Sequence, residues 1–484
     1  MKTTILSFLV FLCLTVAEPT ARAISPSPDG CYPGFTTAEG CNALKGLTTG
    51  IGNTGIGWYS LFANTTGNFN TAVGAGALDL NTAHNNTATG AAALLLNTTG
   101  TNNTANGVDA LASNDTGEEN TATGAFALFS NTEGDFNVAN GAYALYFNTT
   151  GVRNTGIGDS ALYGNTEGNR NTAVGNPALV NNTTGSNNTA IGAGVLFSNN
   201  TGQENTAIGA DALSSNSTGI VNTATGNRAL LSNTDGTSNT ATGVDALHDT
   251  TSGGGNTATG YQALLHNDTG DYNTAAGLFA LGSLTTGGNN TAVGRSAGTG
   301  VTTADNVICI GAQVSGANVS NSCYIGQIFG VTSSGGIAVF INSDGKLGTA
   351  TSSRRFKEEI KPMDKSSEAV LALKPVTFRY RKEVDSHGIP QFGLVAEDVE
   401  KVNPDLVVRD AEGKAYTVRY EAVNAMLLNE FLKEHRKVEQ QRKDFEAAIA
   451  RQQKQIEALT AAVQRVSAQL ELGGPAPQTV LNDQ

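Results

Sequence analysis

The chain has 484 residues, 15% of them charged, and a formal net charge of −13. So acidic a balance excludes a nucleic-acid binder, because a phosphate backbone needs a basic partner. Its five Cys show no metal-ligand spacing, so neither a metal nor any other cofactor is expected.

Residues 1–23 combine Lys2, an apolar run from Ile5 to Val16 and Ala21-Arg22-Ala23. This is the three-part pattern of a secretory signal peptide, and the run is too short to span a bilayer. No later stretch is long and apolar enough to serve as a transmembrane anchor. The expected location is therefore extracellular or at the cell surface. In the N-terminal segment 24–52, Cys31 and Cys41 flank a loop and are candidates for a disulfide in an oxidising compartment.

From 53 to 298 one seventeen-residue phrase recurs fifteen times, its first Asn at 53, 70, 86, 103, 120, 137, 154, 171, 188, 205, 222, 239, 256, 273 and 290. Only the step from 70 to 86 is short, every copy has Gly four residues on, and fourteen have Leu eight residues on. A fixed period this short means one coil per repeat, each burying its apolar residues against its neighbours. Gly and Asn-Thr-x-Gly punctuate the phrase twice, leaving segments too short for helices. Thr71, Ala72 and Val73 alternate as strand residues do. The expected fold is mainly β, a parallel β-roll or β-solenoid about 70 Å long, with Leu78, Leu94, Leu111 and Leu128 in one file.

The phrase Asn-Thr-Ala-Val/Ile-Gly followed by Ala-Leu resembles the head repeats of trimeric autotransporter adhesins. That resemblance implies a homotrimer of parallel β-rolls, although the repeat here is longer. A trimer also answers a physical need, since one Leu and two or three Ala per coil bury little apolar area at about 25 cal/mol per Å². Residues 51–300 carry sixteen Asp or Glu against four Arg, −12 of the chain's −13. This acidity suits the solubility of a long thin surface. The acids are scattered and no calcium-binding repeat occurs. The files of Asn and Thr have two readings: they satisfy turns and backbone groups, or they meet a glycan or another surface ligand. The many Asn-x-Thr triplets would be glycosylation acceptors in a eukaryotic secretory pathway, and they are also a by-product of the repeat.

Between 299 and 350 the repeat degenerates. Two coil-like phrases contain Cys309 and Cys323, whose offsets from the following Gly place them on opposite strand faces, against a disulfide. Residues 337–347 then read as a hairpin turning at Asn342-Ser343-Asp344-Gly345.

Charge returns at Thr351-Ser352-Ser353-Arg354-Arg355-Phe356-Lys357. This phrase, with Phe392-Gly393-Leu394-Val395-Ala396-Glu397, Pro404-Asp405-Leu406-Val407 and Val418-Arg419-Tyr420, resembles the C-terminal intramolecular chaperone domains of phage endosialidases and tailspikes. The resemblance covers 351–436. It implies cleavage of the Thr351–Ser352 bond, with Ser352 as nucleophile, Lys357 as its base, and Arg354 and Arg355 in support. Ser353 stands where the family has Asp, so cleavage and a non-cleaving chaperone are both open. The register also leaves Ser353 as an alternative nucleophile, although Arg-Arg-x-Lys favours Ser352. From the residues alone, a Ser–Lys spacing of five suits neither a helical nor a strand face and requires a turn or a neighbouring chain.

Within this α+β domain, Asp364 to Leu373 and Ala396 to Val402 read as helices and Val376 to Arg381 as a strand. The stretch 421–472 reads as one long helix ended by Gly473-Gly474-Pro475, leaving 473–484 as a tail. Its heptad puts Leu428, His435, Arg442, Ile449, Ile456, Val463 and Leu470 at a, and Phe431, Val438, Phe445, Gln452, Leu459 and Val466 at d. This specifies a coiled coil compatible with three strands. The sequence thus points to an exported, adhesin-like fibre with a trimerising, self-cleaving serine-peptidase chaperone. A non-cleaving ligand-binding fibre and a phage-derived tail fibre are the alternatives. No other enzymatic activity is expected.

Overall fold

The computed structural model describes residues 34–331, 333–342, 345–385, 387–410 and 412–474. The signal-peptide pattern, Cys31 and most of the terminal tail lie outside them. The chain divides near residue 331 into two units.

The first unit is a parallel β-solenoid. Eighteen short strands form one sheet, each paired in parallel with the strand one coil further on. Thr189, Ala190 and Ile191, for example, oppose Thr206, Ala207 and Ile208. Residues 34–52 already form a coil, with strand Thr37–Glu39 in register with Thr54–Ile56 and Leu44 buried in the Leu file. The missing residue between 70 and 86 is taken up in the loop, because Thr71 still faces Thr87. The coil continues past the clear repeats through Val307–Ile310 and Ser322–Ile325.

With the first Asn of the phrase counted as one, Ala at positions three and eight and Leu at nine point inward and are almost all fully buried. The Leu itself is left-handed, as at Leu179 with φ 53° and Leu196 with φ 49°. Such residues let seventeen positions close a coil with a strand of only three.

The first and twelfth positions supply the interior polar ladders. Asn182 Nδ2 donates to Asn165 Oδ1 at 2.8 Å and to Gly185 O at 2.9 Å. Asn188 N donates to Asn171 Oδ1 at 3.0 Å, and Asn188 Nδ2 donates to Gly202 O at 2.9 Å. Both files are fully buried. These Asn residues therefore do the work of turn and backbone satisfaction, and a buried amide so paired avoids a desolvation cost of about 1–3 kcal/mol. Asn64, Asn97, Asn148 and Asn182, each opening an Asn-Thr-Thr triplet, are closed to modification once the coil has formed.

Gly at position five is held by its contacts as well as its conformation. Gly226 has φ 138°, and a Cβ there would lie 2.5 Å from Gly243 O on the next rung. Gly226→Ala is therefore expected to prise these rungs apart, costing several kcal/mol at that point. Hydrogen exchange should show protection lost around 209–243 and kept in distant coils, since rungs contact only their neighbours.

One acid is badly placed. Asp79 shares the tenth-position file with Phe62 and Leu95; its Oδ1 is buried without a partner, and burial raises its carboxyl to about 6. The protonated form fits the fold better. The stability it contributes is complete below the unfolded value of 3.8 and lost as pH rises through about 6. Asp79→Asn should accordingly slow hydrogen exchange in rungs 61–95 at pH 7, by about 1–2 kcal/mol in local stability, and change little at pH 4.

Rings at positions seven and ten stack along the rod. Phe126 lies on Tyr143 at 5.2 Å and 8°, and Phe129 on Tyr146 at 5.1 Å and 7°. Their faces are spent on each other, so this file ties rungs together and turns ring edges outward. At the end of the solenoid, Cys309 is buried and Cys323 exposed, and both are free thiols, as opposite strand faces require.

The second unit contains the hairpin strands Phe340–Ile341 and Leu347–Gly348 and a small α+β domain. The domain has two antiparallel pairs, Val376–Phe378 with Gln391–Gly393 and Val407–Arg409 with Ala415–Val418. It also has helices α1 (Ala396–Val402) and α2 (Tyr420–Leu472). Its core is Val370, Val399, Leu406, Val418 and Val423. The stretch Asp364–Ala372 is 3₁₀ rather than α. There the Ser367 hydroxyl bonds back to Asp364 O at 3.1 Å, the kind of local competition that disfavours a regular helix. The strand expected to reach Arg381 stops at Phe378.

Candidate functional site

The residues singled out around 351–357 lie on one exposed strand-to-turn segment. A single 3₁₀ turn, Arg354–Phe356, separates Ser352 from Lys357. Phe356 N donates to Ser353 O at 3.0 Å and Lys357 N to Arg354 O at 3.1 Å. This turn supplies the reversal that a spacing of five demands. It brings Lys357 Nζ to 3.1 Å from Ser352 Oγ. Ser353 instead begins the turn, its N–H 3.5 Å from Thr351 Oγ1. Arg355 is turned aside, its guanidinium 4.6 Å from the Phe356 ring centre.

All residues from Thr351 to Ile360 are exposed. A lysine that accepts a proton from serine must be a neutral amine, which burial and neighbouring cations favour. Nothing within this exposed segment provides burial.

Further along the chain, a polar cluster ties Asp364–Ala372 to α2. Ser367 is fully buried. Its single hydroxyl proton is shared between Asp364 O and Glu430 Oε1, and its oxygen accepts from Asn429 Nδ2 at 2.7 Å. Lys433 Nζ sits 2.7 Å from the same Glu430 oxygen, and this pairing lowers the Glu430 carboxyl and raises the Lys433 amine. Leu394 N donates to Tyr420 Oη at 3.0 Å, tying the strand pair to the start of α2. Sequence reasoning passed over this cluster. Ser367 sits in a polar run, and its partners lie more than sixty residues away with no spacing to connect them.

Along α2 the heptad residues are bare in the single chain. Leu428, Phe431, Val438, Phe445, Ile449, Ile456, Leu459, Val463, Val466 and Leu470 are each about half exposed or more. Among the described residues no cluster of His, Cys, Asp or Glu could hold a metal ion, and no helix is long and apolar enough to cross a membrane. Cys41, the one described member of the Cys31–Cys41 pair, is exposed.

Residues 352–408 match the family model described as the chaperone of endosialidase. No curated protein and no solved structure matches the chain. The match begins at Ser352 and takes in the 3₁₀ turn, both strands of the first pair, α1 and the start of the second pair. The chain thus joins a long β-solenoid to an endosialidase-type chaperone domain, an organisation that fits a phage-tail-like or adhesin-like fibre.

Proposed function

We propose that this chain is the subunit of an exported, homotrimeric, adhesin-like fibre. Its C-terminal domain aligns three copies, nucleates folding of the rod and then cuts itself free between Thr351 and Ser352. The observation that carries the reading is the 3.1 Å approach of Lys357 Nζ to Ser352 Oγ at the first residue of the chaperone match.

The cleavage chemistry follows from that pair. The neutral Lys357 amine takes the Ser352 hydroxyl proton as Oγ attacks the Thr351 carbonyl carbon. Collapse of the tetrahedral adduct breaks the C–N bond, and the Lys357 ammonium returns the proton to the leaving Ser352 nitrogen. An ester now joins Thr351 to Ser352 Oγ. Water hydrolyses it to a Thr351 carboxylate and a free Ser352 with a new α-amine.

The folding role answers a physical difficulty. Register between three long thin chains must be set before any rung can pay back its ordering entropy. A coiled coil through α2 raises the local concentration of the chains, and folding then runs from rung to rung. Removing the clamp leaves a fibre that is kinetically trapped. An exported adhesin-like fibre is favoured over a phage tail fibre by the signal-like N-terminus.

Intact and native mass spectrometry of the purified wild-type protein tests this reading. Two fragments meeting at Thr351 and Ser352, the larger one trimeric, are expected. A single uncut monomer would overturn both the cleavage and the assembly.

A further inference from the structure

The strands of the solenoid leave one face uncovered. Positions two and four of each repeat point outward on either side of the buried position three. Position two is Thr in fourteen of the fifteen repeats, and Val138 in the other. Position four is Ile or Val in seven, Thr in five, Asn in two and Ala in one. None of these thirty outward positions is charged, although the same block holds sixteen acids and four Arg. The charges are confined to the segment after Gly and to the loop, as at Asp159, Asp211, Glu118 and Asp271.

Parallel sheets normally have both faces covered. Here the outer face leaves Ile157, Ile191, Ile208 and Val293 each about 40% exposed, and Ile308, Ile310 and Ile325 extend the row to the end of the sheet. We propose that this uncharged strand face is the surface along which copies of this chain pack laterally, an inference that rests on the homotrimer reading above.

Three properties select a copy of the same chain over a foreign partner. A rod of this acidity can approach itself closely only where it carries no charge, since desolvated like charges are costly. A copy has the same rung spacing, so every rung meets a rung along the whole length. The strip is about 70 Å by 10 Å, on the order of the 800 Å² per partner that a stable interface needs. The two files also differ. The Thr file of one copy can face the Ile/Val/Thr file of the next, a head-to-tail contact that closes as a ring.

Cross-linking of the full chain tests the proposal, in a Cys31→Ser, Cys41→Ser and Cys323→Ser background, because Cys41 and Cys323 are exposed thiols and Cys323 lies on the same face. Thr206→Cys places a thiol on the face and Thr184→Cys places one on the loop. A short bismaleimide should join Thr206→Cys chains into covalent dimers and leave Thr184→Cys chains single. A native trimer in which only Thr184→Cys cross-links would overturn the face and leave the trimer standing. A monomer by native mass would overturn both.

Discussion

Ser352→Ala should give one full-length polypeptide where the wild type gives two, with cleavage slowed at least about 1,000-fold. The serine supplies both the attacking oxygen and the atom that carries the ester, so no neighbour can substitute without moving the scissile bond. Lys357→Gln should behave alike, because it removes the base and keeps the side chain's length. Ser353→Ala should still cleave. Its N–H bonds to Thr351 and its carbonyl to the turn, and both are backbone groups. Intact mass after incubation reads all of this. Loss of cleavage in Ser353→Ala with retention in Ser352→Ala would move the nucleophile by one residue and refute the assignment.

Much of this molecule was legible because its information is periodic. The Asn, Gly and Leu spacings of the repeat define a parallel coil, and Thr71, Ala72 and Val73 alternate as strand residues do. The period does not say how the coil closes. That depends on left-handed residues as unlike as Leu179, Phe126 and Arg170, types that carry no sequence signal for positive φ. The Asn files were ambiguous for a related reason, since an Asn that serves turns and one that meets a ligand look the same in sequence. Burial separates them: Asn182 and Asn188 are interior, and of the Asn-Thr pair only the Thr faces outward. The coil formed by 34–52 escaped notice because Thr36 takes the place of the leading Asn. In the second unit, Ser352 and Lys357 could be named only through a family phrase. The turn that joins them is set by Arg354–Phe356, and the Ser367 cluster is set by tertiary contacts.

Lysines in the seam of α2 are expected to abolish fibre formation altogether. Ile449→Lys with Ile456→Lys puts two charges at consecutive a positions, each side chain now about half exposed in the single chain. Three copies would bring six ammonium groups into a desolvated core, at a cost of several kcal/mol per buried, unpaired charge. The rod should then fail to align, because its own coils bury mostly Ala, Leu and Asn and offer no local nucleus. Ala450→Lys with Ala461→Lys adds the same charge outside the seam and should assemble normally. Both pairs belong in a Ser352→Ala background, so that the clamp stays attached and native mass reports assembly alone. A trimeric, protease-resistant rod from the Ile449/Ile456 variant would show that the solenoid aligns itself, leaving α2 no folding role. Loss of the trimer in that variant only would place nucleation in the helix.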